Sequence, residues 1–248
     1  MKLFLVWFSL LATINFTLAK DTLSVLFIGN SYTYYNNMPQ LVRCISEDTE
    51  TVLITRKSTK GGATLKEHWN QERNLKSREI LEQQKFDYVV LQDQSLATIN
   101  NQSDFHYYMG LFIDLIKSKG SKPILYTTWA RLLNPLMQDQ ITLEYQKMAT
   151  QHNIQNALVG EAFRESRSLR PADILFKEDG THPSQIGSYI AACVFVKTIT
   201  GNLPKTRKKY CTYRDKDNET LQLIKLNEIT NQYCLDLVNN MFLEDPEK

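Results

Sequence analysis

Two short stretches carry the residue types that acyl-transfer chemistry needs. The first is Phe27-Ile28-Gly29-Asn30-Ser31-Tyr32-Thr33, in which a serine follows the end of an apolar run. A serine at a strand-to-helix junction has its hydroxyl at the edge of a sheet, where converging backbone N–H groups can hold an oxyanion. The same Asn30-Ser31 pair also suits a plain turn in which Ser31 only caps the next helix. The second stretch is Glu178-Asp179-Gly180-Thr181-His182-Pro183-Ser184. A serine nucleophile needs a base at hydrogen-bond distance, and the base needs an acceptor that fixes its tautomer. Asp179, three residues before His182 on a glycine-containing turn, can reach the imidazole Nδ1–H, and Ser184 can cap the helix that follows. An Asp-x-x-His alone also fits an ordinary loop. Paired with Ser31 at the other end of the chain, it points to a Ser-His-Asp arrangement.

The elements that must position these residues alternate. Residues 23–28 read as a buried strand, 39–45 as a helix with Leu41, Val42 and Ile45 on one face, and 51–55 as a second strand. Gly61-Gly62 breaks the chain before a helical stretch carrying Leu65, Trp69, Leu75, Ile80 and Leu81. Strands are predicted at 87–91, 123–127 and 157–159, and helices at 105–116, 143–149 and 184–199. Five strand–helix alternations imply βαβ units and a parallel sheet between helical layers. In such sheets ligand-binding groups gather at the carboxyl ends of strands. That rule selects Asn30-Ser31, Gly61-Gly62, residues 92–95 and Trp129-Ala130-Arg131. Beyond Gly201 the composition shifts to a basic run at 205–209, a polar stretch at 215–219, and a helical apolar pattern over 221–241 (Leu223, Leu226, Leu235, Val238). That pattern is expected to be a terminal helix docked on the sheet edge, with the basic run a solvated loop.

At this point the chain resembles a known family. Gly29-Asn30-Ser31-Tyr32-Thr33 near the start and Asp179-Gly180-Thr181-His182-Pro183-Ser184 near the end look like the first and last blocks of the SGNH (GDSL-like) hydrolases. The resemblance runs from about residue 23 to 199 and leaves the last fifty or so residues outside it. It implies a three-layer α/β/α sandwich around a five-stranded parallel, flavodoxin-like sheet. It also implies that Ser31 is the nucleophile, His182 the general base and Asp179 its orienting partner. The family's oxyanion hole adds a glycine N–H, matched here by Gly62, and an asparagine side chain. In place of the usual Gly-x-Asn-Asp this chain has Val90-Leu91-Gln92-Asp93-Gln94-Ser95. Gln92 carries the same carboxamide one methylene further out, and Gln94 is a second candidate. The segments Val89-Val90-Leu91-Gln92-x-Gln94-Ser95 and Thr127-Thr128-Trp129-Ala130-Arg131 look like those of one branch of the superfamily.

Other polar and aromatic residues have plainer alternatives. Tyr32, Trp129 and Arg131 are assigned to substrate binding, with Arg131 reading a carboxylate or sugar hydroxyl; a buried Trp beside a structural Arg fits the sequence equally. Tyr34 and Tyr35 crowd the same helix entrance and suit either sugar stacking or hydrophobic cover. His68, His106 and His152 lie in predicted helices without an acidic partner at suggestive spacing, and read as surface or packing residues. Asn101-Gln102-Ser103 and Asn218-Glu219-Thr220 are glycosylation sequons.

Composition bounds the function. A chain of 248 residues with 29 Lys+Arg and 27 Asp+Glu, formal net charge +2, is long enough for one α/β domain and lacks the excess of basic residues of a broad nucleic-acid footprint. No P-loop or dinucleotide glycine spacing is present, so no cofactor is expected, and the four Cys have no zinc-ligand spacing, so no metal is expected either. Lys2, the apolar run at 3–12 and the small residues at Thr17 and Ala19 predict a cleaved signal peptide at 1–19. The expected product is a secreted or periplasmic protein with no stable membrane insertion. Its hydrolase domain spans 20–204, and a C-terminal helical extension packs on that domain over 205–248. Cys44 and Cys193 sit in apolar helical contexts as core thiols, and Cys211–Cys234 is the preferred bridge among three possible full pairings.

The leading reading is an exported serine esterase acting on a small-molecule or glycan ester, an O-acetyl group on a carbohydrate being one such substrate. An acyltransferase is its near neighbour. A non-catalytic secreted carbohydrate-binding protein on the same scaffold is the alternative from another class, motivated by Gln92 standing where asparagine is usual.

Overall fold

The apolar runs become a five-stranded parallel sheet in a computed structural model that describes residues 20–172, 174–205, 210–215 and 217–242. The expected signal peptide and most of the basic run at 205–209 lie outside the described residues. In chain order the first elements are β1 (Asp21–Gly29), α1 (Ser31–Tyr34), α2 (Met38–Ser46), β2 (Thr51–Thr59), α3 (Leu65–Trp69), α4 (Ser77–Gln83) and β3 (Tyr88–Leu91). Next come α5 (Ala97–Asn100), α6 (Gln102–Ser118), β4 (Lys122–Tyr126), α7 (Met137–His152), β5 (Gln155–Ala157), α8 (Val159–Leu169) and α9 (Gln185–Thr200). A hairpin of β6 (Tyr210–Arg214) and β7 (Thr220–Lys225) and a final α10 (Glu228–Met241) follow. The sheet order is β2-β1-β3-β4-β5, the flavodoxin-like order.

Alternation along the strands feeds two cores. Val25, Phe27, Val90, Ile124 and Tyr126 face one layer, where they pack with residues of α2, α8, α9 and α10. Leu26, Ile28, Val89, Leu91 and Leu125 face the other, against residues of α3, α4, α6 and α7. Both faces are covered, so the central stretches 25–28 of β1, 88–91 of β3 and 123–126 of β4 run without a charged residue. The result is the three-layer α/β/α sandwich. Because β1 leads to β2 on one side and lies beside β3 on the other, a crevice opens at their carboxyl ends.

Four expectations are corrected. The predicted strand at 157–159 ends at Ala157, and Val159 instead begins α8. Val159, Ala162, Phe163 and Ser166 form that helix's buried face, a spacing hidden by the apolar Ala157-Leu158-Val159 run. The C-terminal part is not helical throughout, since residues 220–225 pair with β6. The hairpin turns where Asp215 accepts from the N–H groups of Asp217 (3.0 Å) and Glu219 (2.9 Å) and Asn218 takes a left-handed conformation, φ 67°. The terminal helix docks on α9 and α8 in a helical layer, not on the sheet edge. Finally, Cys44 is bonded to Cys211, 167 residues away, in place of the preferred Cys211–Cys234 pairing. The hairpin lies along α2, so β6 carries Cys211 to Cys44, while Cys193 and Cys234 are buried outside this bridge.

Two buried titratable groups sit beneath the crevice. Asp93, just past β3, accepts from the N–H groups of Leu65 (2.9 Å) and Gln94 (2.7 Å), tying the start of α3 to the end of β3. Burial pushes its carboxyl up to about 6, against the lowering effect of those two N–H groups. His68, on α3, is fully buried, and burial pushes its imidazole down to about 4.

Two measurements follow from this packing. Closing so long a loop removes much of the unfolded chain's entropy, so Cys211→Ser should cost about 2–4 kcal/mol in urea unfolding. A reductant should lower the parent's midpoint to that of the variant and leave the variant's unchanged; equal midpoints for parent and variant without reductant would mean the bridge does not form. Between about pH 4 and 6 the folded protein holds a proton on Asp93 that the unfolded chain has released, so this contribution is greatest at low pH and is lost as pH rises through 6. His68 acts in the opposite sense, because its neutral form costs stability as pH falls from 6.5 through 4. Asp93→Asn keeps the acceptor and removes the first effect. Its stability relative to the parent should rise by about 1–3 kcal/mol between pH 4 and 7, read from urea midpoints at each pH.

Candidate active site

Ser31 follows β1 directly, at the crevice. Asn30 caps α1, its side-chain oxygen accepting from Tyr32 N–H at 3.1 Å, while its Nδ2 donates to the Ala63 carbonyl at 3.0 Å. The second bond ties the turn after β2, which carries Gly62, to the turn that carries Ser31. Gly62 is exposed with φ 67°, a conformation glycine adopts without penalty. Among the described residues, neither the Ser31 N–H nor the Gly62 N–H has a hydrogen-bond partner within the chain.

His182 comes from the other end of the chain. Its Nε2 lies 2.9 Å from Ser31 Oγ, and its Nδ1 lies 2.6 Å from Asp179 Oδ2. An ionised carboxylate only accepts, so Nδ1 carries the proton and the Nε2 lone pair faces the serine hydroxyl. Asp179 Oδ1 accepts from Thr181 N–H (2.8 Å) and His182 N–H (2.9 Å), an arrangement closed by Gly180 at φ 65°. Against a desolvation effect that raises it, these hydrogen bonds, led by that from His182, hold the Asp179 carboxyl well below the usual range. The loop is pinned from β4's end, where Trp129 Nε1 donates to Thr181 O (2.9 Å) and Leu132 N–H donates to Gly180 O (2.9 Å).

Asn36 joins the two halves. Its Nδ2 lies within 3.1 Å of Pro183 O, Ser184 O and Ser188 Oγ, directly linking the serine segment to the histidine loop. Asn36 and Asn37 are both left-handed, at φ 50° and 52°. The paired asparagines before Met38-Pro39 are the signal that sequence reading passed over, since asparagine tolerates this conformation better than most residues.

The remaining assigned residues divide. Trp129 is buried, with Tyr32 stacked on one ring face (centroids 4.4 Å apart) and Phe163 on the other (4.3 Å). It therefore offers no face to a substrate, and its assignment to substrate binding is corrected to a packing role. Tyr32 is buried too, edge-on to His182 with its hydroxyl near Ser95, Thr181 and Arg131. Burial raises its pKa, partly opposed by those three neighbours. Arg131 alone of the three is partly open to solvent. Tyr35 lies flat on His182, centroids 4.3 Å apart, with the Lys177 ammonium 5.1 Å from its own ring.

Gln92 points away from the expected oxyanion position. Fully buried, its Oε1 accepts from Asn30 N–H (2.8 Å) and Thr33 Oγ1 (2.9 Å), and its amide nitrogen donates to Asp93 O. Its geometry is that of a brace under the serine turn. Gln94 is partly buried, its oxygen held by Leu96 N–H (2.8 Å) and its amide nitrogen 3.3 Å from Ser95 Oγ. Of the other histidines, His106 does find an acid, Glu144, 2.7 Å away on α7, a pairing invisible in sequence. Among the described residues no group of three or more His, Cys, Asp or Glu could hold a metal ion.

No family profile and no curated protein matches the chain. Solved structures do. A putative SGNH hydrolase from Slackia heliotrinireducens is 28% identical with a TM-score of 0.61, covering 72% of this chain and 100% of that one. A DUF4886 family protein from Bacteroides uniformis is 19% identical with a TM-score of 0.71, covering 92% and 97%. An acetyl xylan esterase is 18% identical with a TM-score of 0.56, covering 71% and 99%. With the parallel sheet order and the flanking helical layers, these similarities show that the chain has an SGNH hydrolase-like fold.

Proposed function

We propose that this protein is an exported serine esterase that hydrolyses a small acyl ester, with O-acetylated carbohydrate as the favoured substrate class. The observation that carries the reading is the continuous hydrogen-bonded chain from Ser31 Oγ through His182 to Asp179. A binding protein on the same scaffold needs neither of these contacts. The carbohydrate part rests on a fold shared with an acetyl xylan esterase. Export rests on the apolar segment at 3–12 and on the Cys44–Cys211 bond, which suits an oxidising compartment.

In this reading His182 Nε2 takes the Ser31 proton as Oγ bonds to the ester carbonyl carbon. The carbonyl oxygen becomes an oxyanion, received by the Ser31 and Gly62 N–H groups. Gln94 is the carboxamide third donor, because Gln92 is committed to the serine turn. His182 returns the proton to the leaving alcohol as the C–O bond breaks. Water then attacks the acyl-enzyme, giving a proton to His182, which passes it to Ser31 Oγ as the acyl–Oγ bond breaks and the acid product leaves. Asp179, kept ionised by its donors, holds the imidazole tautomer and steadies the imidazolium.

Ser31→Ala and His182→Ala should each lower kcat/KM for p-nitrophenyl acetate by at least about 10³-fold, and Asp179→Asn by a comparable factor. Hydrolysis surviving in Ser31→Ala would sink the reading. Gln94→Ala should cost about 10²–10³ in kcat, the typical cost of one oxyanion donor. Acetate should be preferred to butyrate and octanoate, and an added alcohol that captures the acyl group in place of water would reassign the protein to acyl transfer.

A further inference from the structure

The peptide unit between Gly29 and Asn30, immediately before Ser31, is held at both polar ends by buried side chains from different elements. On one end, the Asn30 N–H donates to Gln92 Oε1 at the end of β3 (2.8 Å). On the other, the Gly29 carbonyl lies 2.9 Å from His68 Nε2 on α3. A carbonyl accepts, so His68 Nε2 carries the proton, and Nδ1, 2.5 Å from Ser77 Oγ, accepts the Ser77 hydroxyl hydrogen. Ser77 then accepts from Ser58 on β2, 2.8 Å away. The protons are thus ordered in one direction, Ser58 to Ser77 to His68 to the Gly29 carbonyl, in a run of buried groups. Such a network has little freedom to rearrange, since each alternative orientation leaves a buried polar atom unmet.

Gly29 shows how closely the clamp is fitted. A Cβ at this position would stand 2.4 Å from Gln92 Oε1 and 2.6 Å from Thr33 Oγ1, so the brace and any side chain at 29 exclude one another. Gln92 also accepts from Thr33, two residues past the serine, and so grips the turn on both sides of Ser31.

We propose that His68 and Gln92 are positioning residues for Ser31, fixing the plane of the Gly29–Asn30 peptide and with it the direction of the serine hydroxyl toward His182. The proposal rests on the esterase reading. Neither side chain touches substrate. Both act through one peptide, and a nucleophile displaced by a fraction of an ångström to an ångström loses up to about 10²-fold in rate.

The test compares His68→Leu, His68→Gln and Gln92→Met with the parent, reading the rate at which a fluorophosphonate labels Ser31 alongside kcat and KM for p-nitrophenyl acetate. Glutamine places an N–H near the position of Nε2, whereas leucine fills the space without a donor. Expected are about 10- to 100-fold losses in labelling rate and kcat for His68→Leu and Gln92→Met, with KM within about twofold, and recovery of most of the loss in His68→Gln. The double variant should lose less than the product of the single losses, because both contacts hold the same peptide. A folded His68→Leu labelled at the parent's rate, or a His68→Gln as slow as His68→Leu, would overturn the clamp. Should His68→Leu fail to fold, as read by near-ultraviolet circular dichroism, His68→Gln and Gln92→Met decide the matter in the same way. A parent that is neither labelled nor active overturns the esterase reading and the clamp with it; an active parent with unaffected variants overturns the clamp alone.

Discussion

One hydrogen bond, between Ser31 Oγ and His182 Nε2, joins residues 151 positions apart, and the architecture is arranged around keeping its two ends in register. The serine end is set by β1, an interior strand that pairs with both β2 and β3. The histidine end belongs to a loop closed only by an antiparallel bridge between Phe176 and Pro183, and it is anchored further by contacts to its neighbours. Its carbonyls at Gly180 and Thr181 receive Leu132 N–H and Trp129 Nε1–H, and its carbonyls at Pro183 and Ser184 receive Asn36. A loop held at four carbonyls can present an imidazole as steadily as a helix would. The rigidity of the Trp129 ring, packed between Tyr32 and Phe163, transmits the order of the core to that loop.

A buried polar layer lies beneath this contact, and its cost explains its completeness. Gln92, His68, Ser58, Ser77, Asp93 and Asn30 are all buried at the carboxyl edge of the sheet. An unmet amide or hydroxyl there would cost about 1–3 kcal/mol. Strand ends and helix starts supply the compensation, because their backbone groups are the ones that secondary structure leaves unpaired. Asp93 meets Leu65 N–H at the start of α3, Gln92 meets Asn30 N–H past the end of β1, and His68 meets the Gly29 carbonyl. The serine turn is thereby built from the same groups that terminate three elements. Positioning and stability draw on one set of hydrogen bonds.

The parts legible in the sequence were those carried by pattern or by chemistry. Strands buried on both faces read as continuous apolar runs, and Ser31, Asp179 and His182 stood out because their residue types and turn context fit one mechanism. What sequence obscured was direction and distance. Gln92 and Gln94 offer the same carboxamide, and only the path of the chain past Leu91 decides that Gln92 is committed beneath the serine turn while Gln94 stays partly buried. Trp129 at a strand's end looks like a substrate platform until Tyr32 and Phe163 cover both its faces. α8 was lost because its first apolar residue continues the run of β5. Residues 221–225 of β7 read as helix because Leu223 and Leu226 fall at helical spacing with the helix beyond. Cys44 and Cys211 share no local feature that would pair them across 167 residues.

That bond also gives the C-terminal segment a structural purpose. The hairpin lies against α2 and reaches the short turn Tyr35–Asn37, which carries the ring stacked on His182 and the amide that binds the histidine loop. Asn36 and Asn37 hold left-handed backbone there, so the turn gains from an outer brace. Covalent attachment through Cys44 keeps the brace in place without demanding a large interface from a two-stranded ribbon, which would be marginal alone. The contacts of the hairpin with α2 and the Tyr35–Asn37 turn place its weight on the segment that runs on from Ser31.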